Sequence, residues 1–468
     1  MSDQREELKR LKLESARERC EAIQGALKHF KGRIESSPAT LKVIDLVLRA
    51  VKKIEEFLDD EAANENLLLL DDNELESRIH RVTSIIPTIH LLVSIVERSD
   101  VTAVPAEIAS PLRREIETLY SSSAELIVTS STALNYSIQS IARIKIQGLL
   151  NLEEEDLKEF PKRLFVASLP SIEYDQALQH CIFGHELSHP LWDEFAIQER
   201  LPEVIVDKNR LMKLVKTFEK QAAEPTTKEF PFEALERVIS APQRVQSATV
   251  KWCKELTSDL FALALFGPAF LFSVIHFTSS FERLDFANDT HPPSRLRLRL
   301  LFRFLDILYN RADSFSSQTE RFLNEWRRIG DEKIIVEDDV HDLVLETIAN
   351  SKLDNELTSI VKGLLSKLPS QYTQDDYKND LKVLCPLIDA QIPPAEYLSN
   401  GKYEPATFAG ILNAGWECQL QGLNEYKSRL PASKRSSDYE LKRSYNGFLL
   451  KALELNEAIR SWRRAAGQ

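Results

Sequence analysis

The chain has 468 residues, 43% of them hydrophobic and 28% charged, a composition typical of a folded globular protein and not of a disordered one. This length predicts two or three domains. Glycine is scarce at 13 residues, whereas leucine, glutamate, lysine, arginine and alanine are abundant, so we predict a mostly α protein. The net charge of −12 does not attract phosphate backbones, and we therefore expect no nucleic-acid partner.

The five cysteines are odd in number, widely scattered and never in C-x-x-C spacing. This pattern indicates reduced thiols, and it argues against a disulfide framework or a cysteine zinc site. Residues 1–7 are hydrophilic and contain no apolar signal region. Together these features predict a cytoplasmic protein.

Residues 1–100 are predicted to form a helical N-terminal region. Its first helix carries an apolar seam at alternating steps of three and four, and a second amphipathic helix follows from Ala39 to Leu58. The two helices could pair within one chain as a hairpin, or the seam could join two chains as a coiled coil and make a homo-oligomer. A third helix, from Glu74 to Arg98, is expected to kink at Pro87. The seam consists of Leu13, Ala16, Cys20, Ile23, Leu27, Phe30 and Ile34.

Residues 101–330 are predicted to form a second region, entered through a linker from Val101 to Pro111. Two segments rich in apolar and β-branched residues, 125–129 and 164–169, predict strands of a small sheet. An extended peptide could pair with the second strand if it lies at a sheet edge. The next helix is expected to begin at an N-cap formed by Ser171.

Residues 331–468 are predicted to form a helical C-terminal domain, separated from the second region near 328–331. Before that boundary, the apolar run from Leu260 to Phe277 carries no formal charge. Gly267 and Pro268 interrupt this run, so we interpret it as a buried core helix, with a membrane segment as the alternative.

The centre of the chain contains the pattern H-E-x-x-H, formed by His185, Glu186 and His189. On a helix, the two histidines lie one turn apart on the same face, at the end of an apolar stripe. Two imidazoles at this spacing can bind one zinc ion, and the glutamate between them can act as a general base toward water on the metal. A helical wheel places His180 nearly opposite, and Cys181 is interpreted as a core residue.

A second motif, E-x-x-x-D, follows at Glu255 and Asp259. On a helix these two acids share a face with Ala262 and Phe266, so the motif offers a third metal ligand and a small residue where another helix could approach. Asp259 begins the apolar run and therefore needs a partner, which a ligand imidazole could supply.

A third motif begins at residue 289 with the sequence D-T-H-P-P-S-R-L-R. If a helix starts after Pro293, then Arg295, Arg299 and Arg303 form one stripe that we interpret as a solvated basic face. Arg297 falls instead on the apolar side, where an arginine is expected to pair with a buried acid.

The three motifs, in this order, resemble those of the gluzincin metallopeptidases of the HtpX and CAAX prenyl protease type. The resemblance covers residues 126–305 and implies a zincin-like α+β core, a bound zinc ion and peptide-bond hydrolysis, with His291 stabilising the oxyanion. The implied zinc ligands are His185, His189 and Glu255, the residues implied in or beside the catalytic site are Glu186, His291 and Arg297, and the residue implied to orient a ligand is Asp259.

Two features depart from this family. Pro190 directly follows the second histidine, and since proline lacks an N–H group and clashes with the carbonyl of Glu186, the helix is expected to kink or end there. The best-known members of the family are embedded in membranes, whereas this chain has no convincing span, so their substrates do not carry over.

The sequence therefore predicts a zinc-dependent metallopeptidase that acts on protein substrates, with helical flanking regions that regulate it. Two alternatives stay open. One is a helical scaffold or regulatory protein with a structural or dormant zinc site. The other is a membrane-associated protease that uses the run from Leu260 to Phe277.

Overall fold

The chain folds into two compact units, Met1–Tyr174 and Asp175–Gln468, in a computed structural model. Both are mainly helical. Among the described residues, the first unit contains a three-stranded sheet and the second unit a two-stranded sheet, so the predicted mostly α class is confirmed. The three regions expected from the sequence remain a prediction about folding units. The residues that the structure describes are 2–31, 37–63, 73–74, 77, 80, 84–99, 106–120, 123–132, 136–150, 152–201, 206–223, 231–281, 283–310, 314–350, 352–399, 401–431 and 437–467.

The first unit begins with the predicted helical hairpin. Helices α1 and α2 pack against each other within one chain, and the seam residues Leu13, Cys20 and Leu27 are buried between them and the neighbouring core. The hairpin interpretation is thus confirmed, while Ile34 lies outside the described residues. The helices that the structure describes in this unit are α1 (Ser2–Lys31), α2 (Pro38–Ala63), α3 (Ile86–Arg98), α4 (Ala106–Tyr120) and α5 (Arg143–Leu150).

Pro87 does not kink a helix, contrary to the prediction. It lies in the first turn of α3, directly after a turn at Ser84 and Ile85. Proline is well tolerated there because the first N–H groups of a helix have no partner within the helix.

The linker predicted from Val101 to Pro111 is wrong for residues 106–111, which belong to α4. Ile108, Leu112 and Ile116 are spaced by four residues and are fully buried. Burial of this apolar face outweighs the backbone hydrogen bond that Pro111 cannot donate. Residues 101–105 lie outside the described part of the chain.

The two predicted strands are present, but the second one is not at an edge. Strand β3 (Arg163–Pro170) lies in the middle of the sheet, parallel to β1 (Ala124–Ser131) and antiparallel to β2 (Ser137–Ala142). Both sides of β3 are therefore already paired, and the expected peptide-binding edge on this strand is wrong. Strand β2 escaped prediction because its residues are mostly polar or small and largely exposed.

The second unit is organised around a long helix, α9 (Pro231–Phe266). It contacts α6 (Phe183–Glu194), α8 (Lys208–Ala223), α11 (Ser294–Leu308), α13 (Asp339–Asn350) and α14 (Leu353–Leu364). A short hairpin, β4 (Glu396–Ser399) with β5 (Lys402–Pro405), completes the unit. The remaining helices within the described residues of this unit are α7 (Ile197–Arg200), α10 (Pro268–Phe281), α12 (Ser317–Asp331), α15 (Gln374–Asp389), α16 (Phe408–Leu420), α17 (Asn424–Arg429) and α18 (Asp438–Ala465).

The apolar run from Leu260 to Phe277 lies in the core of this unit, as predicted, although it spans two helices. Helix α9 ends at Phe266, and α10 begins one residue after Gly267, whose φ is +66°. A Cβ atom at Gly267 would lie 2.4 Å from Cδ1 of Tyr372, so both the backbone and the packing require glycine. Among the described residues, no helix has the length and apolar character needed to cross a membrane.

The C-terminal helices hold the segment that leads into the H-E-x-x-H helix. The indole Nε1 of Trp416 on α16 donates to the carbonyl of Leu178 at 3.2 Å, and the side-chain oxygen of Asn446 on α18 accepts from the backbone N–H of Leu178 at 3.3 Å. Asn413 bridges the break between α9 and α10, since it donates to the carbonyl of Phe266 and accepts from the N–H of Ala269. Residues 331–468 are thus part of the core of the second unit.

We expect the substitution Asn413→Leu to lower the free energy of unfolding by about 3 kcal/mol, because it leaves a buried carbonyl and a buried N–H without partners. Urea denaturation followed by circular dichroism measures the change. Asn355→Leu, at an exposed position of α14, is the matched control and should change the stability little. Equal stabilities of the two variants would contradict the bridging role of Asn413.

Candidate metal centre

The H-E-x-x-H segment lies on α6, which begins at Phe183 directly after a 3-10 helix, Ala177–Ile182. The N-cap of α6 is Ile182, and it makes no side-chain cap. The predicted N-cap at Ser171 is therefore wrong, because the 3-10 helix supplies the preceding turn. His180 and Cys181 both lie in this 3-10 helix and are fully buried.

Helices α6 and α9 approach each other closely at Gly184. A Cβ atom at this glycine would lie 2.6 Å from Cδ2 of Phe266 and 3.3 Å from Cβ of Ala262. The predicted approach of another helix at Ala262 is confirmed, and a glycine on one side with an alanine on the other permits it.

The close approach brings together the three residues expected to bind metal. Nε2 of His185 lies 3.1 Å from Oε2 of Glu255, and Nε2 of His189 lies 3.5 Å from Oε1 of the same carboxylate. One ligand atom from each residue lies within 4.8 Å of the other two. This group could hold a metal ion, because two imidazole nitrogens and one carboxylate converge on one point.

Pro190 does not end the helix, so of the two predicted effects, a kink or an end, the end is wrong. Helix α6 continues through this residue to Glu194. Leu187, Leu191 and Trp192 are buried, and this packing on either side of the proline outweighs the one backbone hydrogen bond that it cannot donate. His189 therefore keeps the position relative to His185 that a continuous helix gives it.

Asp259 connects the candidate metal ligand His185 to Arg297, in agreement with the separate predictions that each residue has a buried partner. Its Oδ1 accepts from Nδ1 of His185 at 2.8 Å. Arg297, on α11, donates to both oxygens of Asp259 at 2.8 Å, from Nε and Nη2. Because Nδ1 of His185 is bonded to Asp259, its Nε2 is directed toward Glu255 and is available to a metal.

Ser258 orients the second histidine in the same way, and it is not among the residues predicted from the sequence. Its hydroxyl lies 3.2 Å from Nδ1 of His189 and is fully buried in α9. This contact leaves Nε2 of His189 directed toward Glu255. A signal was present in the sequence, since Ser258 follows Glu255 by three residues and therefore lies on a neighbouring part of the same helical face.

The charges of the site push the pKa values of the two histidines apart. Burial opposes protonation of His185, but the carboxylates of Asp259 and Glu255 outweigh it and raise the pKa of His185 to about 10. Burial and the positive charge of His185 lower the pKa of His189 to about 3. Without metal, one imidazole is thus charged and the other is neutral.

Both carboxylates of the site remain ionised. Burial alone would raise the pKa of Glu255, but the neighbouring His185 and His189 and Arg297 lower it to about 2. The pKa of Asp259 is likewise held well below its ordinary range, because Arg297 and His185 outweigh the effect of burial.

His291 lies at the rim of the group, with 56% of its side chain exposed and Nε2 at 3.8 Å from Oε2 of Glu255. The side-chain oxygen of Asn288 accepts from the hydroxyl of Thr290 at 2.7 Å, so this hydroxyl can only accept from Nδ1 of His291, also at 2.7 Å. The neutral ring therefore carries its proton on Nδ1, and Nε2 can donate a hydrogen bond only when the ring is an imidazolium.

Glu186 lies beside His185 in the first turn of α6 and is half-buried.

The prediction for Arg295 in the third motif is wrong, because this residue was expected to be solvated. Arg295 is buried and pairs with Asp285 at 2.7 Å and with Glu332 at 2.9 Å. The reason is that the start of α11 lies against Asp285 and Glu332, so this arginine of the basic stripe forms ion pairs inside the unit instead of facing solvent.

Comparisons with known proteins find no match among protein-family models, curated proteins or solved structures. The resemblance to the gluzincins therefore rests on the three motifs. What the structure adds is the group of His185, His189 and Glu255, which could bind a metal ion.

Metal binding should release about one proton per ion at pH 7. His185, with its raised pKa, is protonated before binding and must lose that proton, whereas His189 is already neutral and Glu255 is already ionised. Since a proton is released, affinity should rise with pH, by about tenfold per unit near neutrality. Calorimetric titration in buffers of different ionisation enthalpy counts the protons, and binding without proton release would contradict this charge distribution. The Asp259→Asn variant lacks the charge that raises the pKa of His185, so its metal binding should release fewer protons than that of the wild type.

Ser258→Ala should weaken metal binding about tenfold, because the ring of His189 loses the contact that orients it. Competition with a chromogenic chelator measures the affinity. Thr257→Val is the matched control, because the Thr257 hydroxyl donates only to the carbonyl of Cys253 in its own helix. An affinity of Ser258→Ala equal to that of this control would show that the contact does not matter.

Proposed function

We propose that the chain is a zinc-dependent metallopeptidase that hydrolyses peptide bonds of protein substrates in the cytosol. The observation that carries the proposal is the convergence of His185, His189 and Glu255 in one group. Two histidines and one glutamate form a ligand set typical of zinc peptidases, and three protein ligands leave a position for water and substrate. The motif pattern that resembles the gluzincins supports the same activity.

Zinc held by these three residues would supply Lewis acidity toward the scissile carbonyl and would lower the pKa of water. Glu186 takes a proton from the attacking water and delivers it to the leaving amine, which is the role of a general base followed by a general acid. His291, as an imidazolium, donates from Nε2 to the developing oxyanion. Asp259 and Arg297 keep His185 in the orientation that directs Nε2 to the metal.

The exposure of the group favours a catalytic over a structural site. His185 and Glu255 are nearly buried, whereas 22% of the His189 side chain and 56% of the His291 side chain are exposed. The group is thus open on the side of His189 and His291, where a substrate carbonyl could enter. A structural zinc is normally enclosed by four protein ligands.

The helical flanking regions are proposed to regulate this site. For the C-terminal region, the supporting observation is that Trp416 and Asn446 hold the backbone of Leu178, which lies in the 3-10 helix that precedes the motif helix. Changes in the packing of α16 or α18 would therefore reach α6 through the backbone of the chain.

Two substitutions test the proposed activity. Glu186→Gln should retain about one zinc per chain but lose hydrolysis by about three orders of magnitude or more, because the shape of the residue is kept and the base is lost. Glu255→Ala should lose zinc, because it removes a ligand. Metal analysis of the gently purified chain and cleavage of an unfolded protein substrate measure both effects.

The controls separate a catalytic from a structural or dormant zinc site. Glu194→Gln, at the end of the same helix, should leave zinc content and hydrolysis unchanged. A wild-type protein that binds no zinc would overturn the metal site. A zinc-loaded wild type without hydrolysis would instead favour the helical scaffold with a structural or dormant site.

A further inference from the structure

The loop that carries His291 is tied to two helices through Asp289. Oδ1 of Asp289 accepts from Nε2 of His341 on α13 at 2.8 Å and from Nη2 of Arg244 on α9 at 2.9 Å. Nε of Arg244 lies 3.3 Å from the other oxygen of this carboxylate. Two helices that are far apart in sequence therefore share one loop carboxylate.

A neighbouring backbone group of the same loop is held as well. The indole Nε1 of Trp252, a fully buried residue of α9, donates to the carbonyl of Asn288 at 2.8 Å. The Trp252 ring lies against the ring of His341, with centroids 5.9 Å apart. Trp252 thus supports the loop directly and also supports the imidazole that binds it.

These contacts act on the residues that position His291. Asn288 and Asp289 directly precede Thr290 and His291, and the side-chain oxygen of Asn288 accepts from the backbone N–H groups of both later residues at 2.8 Å. If Asn288 and Asp289 move, the turn that holds the imidazole moves with them. His291 has 56% of its side chain exposed, and its Nδ1 lies 2.7 Å from the hydroxyl of Thr290 in the same turn.

The position of His341 is set by the start of its own helix. Oδ1 of Asp338 accepts from the backbone N–H groups of Val340 and His341, at 2.8 and 3.1 Å, and so caps α13. The same oxygen lies 3.7 Å from Nδ1 of His341. The imidazole therefore lies between two carboxylates, Asp338 on its own helix and Asp289 on the loop, and cannot move without α13.

We propose that Arg244 and His341 are positioning residues that hold the 288–291 turn, and that α13 thereby controls how His291 is presented to the metal centre. Neither residue touches the group of His185, His189 and Glu255, so both act through the loop. The effect on catalysis rests on the proposed peptidase function, whereas the effect on the loop does not. Through His341, the C-terminal region thus contacts the loop that carries His291.

The test compares two replacements of His341 in the full-length, zinc-loaded chain. His341→Phe keeps a ring against Trp252 but cannot donate to Asp289, whereas His341→Gln keeps an N–H donor. Asp342→Asn, an exposed position on the same helix, is the control. Hydrogen exchange by mass spectrometry reports on peptides that cover residues 286–291, and metal analysis and steady-state kinetics are run on the same samples.

We expect amide hydrogen exchange in this loop to be about tenfold faster in His341→Phe than in the wild type, because the variant loses a hydrogen bond to the charged Asp289 carboxylate. Zinc content should not change, kcat should fall about tenfold and KM should stay within about twofold, because the loss concerns the oxyanion donor. His341→Gln should restore most of both effects, and Asp342→Asn should resemble the wild type.

Unchanged loop exchange in a folded His341→Phe would overturn the proposal, as would an increase spread evenly over the second unit. If that variant does not fold, Asp289→Asn provides the same comparison from the loop side, and normal loop exchange there would also overturn it. A wild type that binds zinc without hydrolysing peptides would defeat the proposed function, while loop exchange would still decide the role of His341.

Discussion

The group of His185, His189 and Glu255, which could hold a metal ion, depends on a negative charge buried in the apolar core. Only 1% of the Asp259 side chain is exposed, at the start of the most apolar stretch of α9, and an unpaired carboxylate there would cost several kcal/mol. Arg297 satisfies it with two hydrogen bonds, and His185 supplies another. The need to pair this charge therefore fixes the relative position of α6, α9 and α11, and with it the direction in which His185 points.

The second constraint is the distance between α6 and α9. Gly184 has no side chain where Phe266 and Ala262 lie, and this allows His185 and His189 to reach Glu255 across the interface. The C-terminal helices also support α9, since Asn413 on α16 bridges the end of α9 and the start of α10. In the second unit, the packing of the core therefore also determines the geometry of the site.

The sequence predicted the parts of the site that repeat at helical spacing. His185 and His189, and Glu255 and Asp259, are pairs four residues apart, and such pairs share a helix face wherever the helix lies. The predictions failed where packing competes with a local rule. Pro190 was expected to kink or end α6 because it lacks an N–H, but the helix continues because the residues around the proline are buried. Arg295 was expected to be solvated because it begins a charged stripe, but it is buried and pairs with Asp285 and Glu332.

The mainly helical class, the helical hairpin at the N-terminus, the buried apolar run and the residues that could hold a metal were predictable from the sequence, because each depends on periodicity or on residue chemistry. Three features depend on the folded structure: which strand of the sheet is central, the contact of Ser258 with His189, and the binding of Asp289 to Arg244 and His341. Those contacts join residues through hydrogen bonds whose partners are set by how helices pack in space. A single sequence contains no record of that packing, since residues as distant as 289 and 341 carry no shared local pattern.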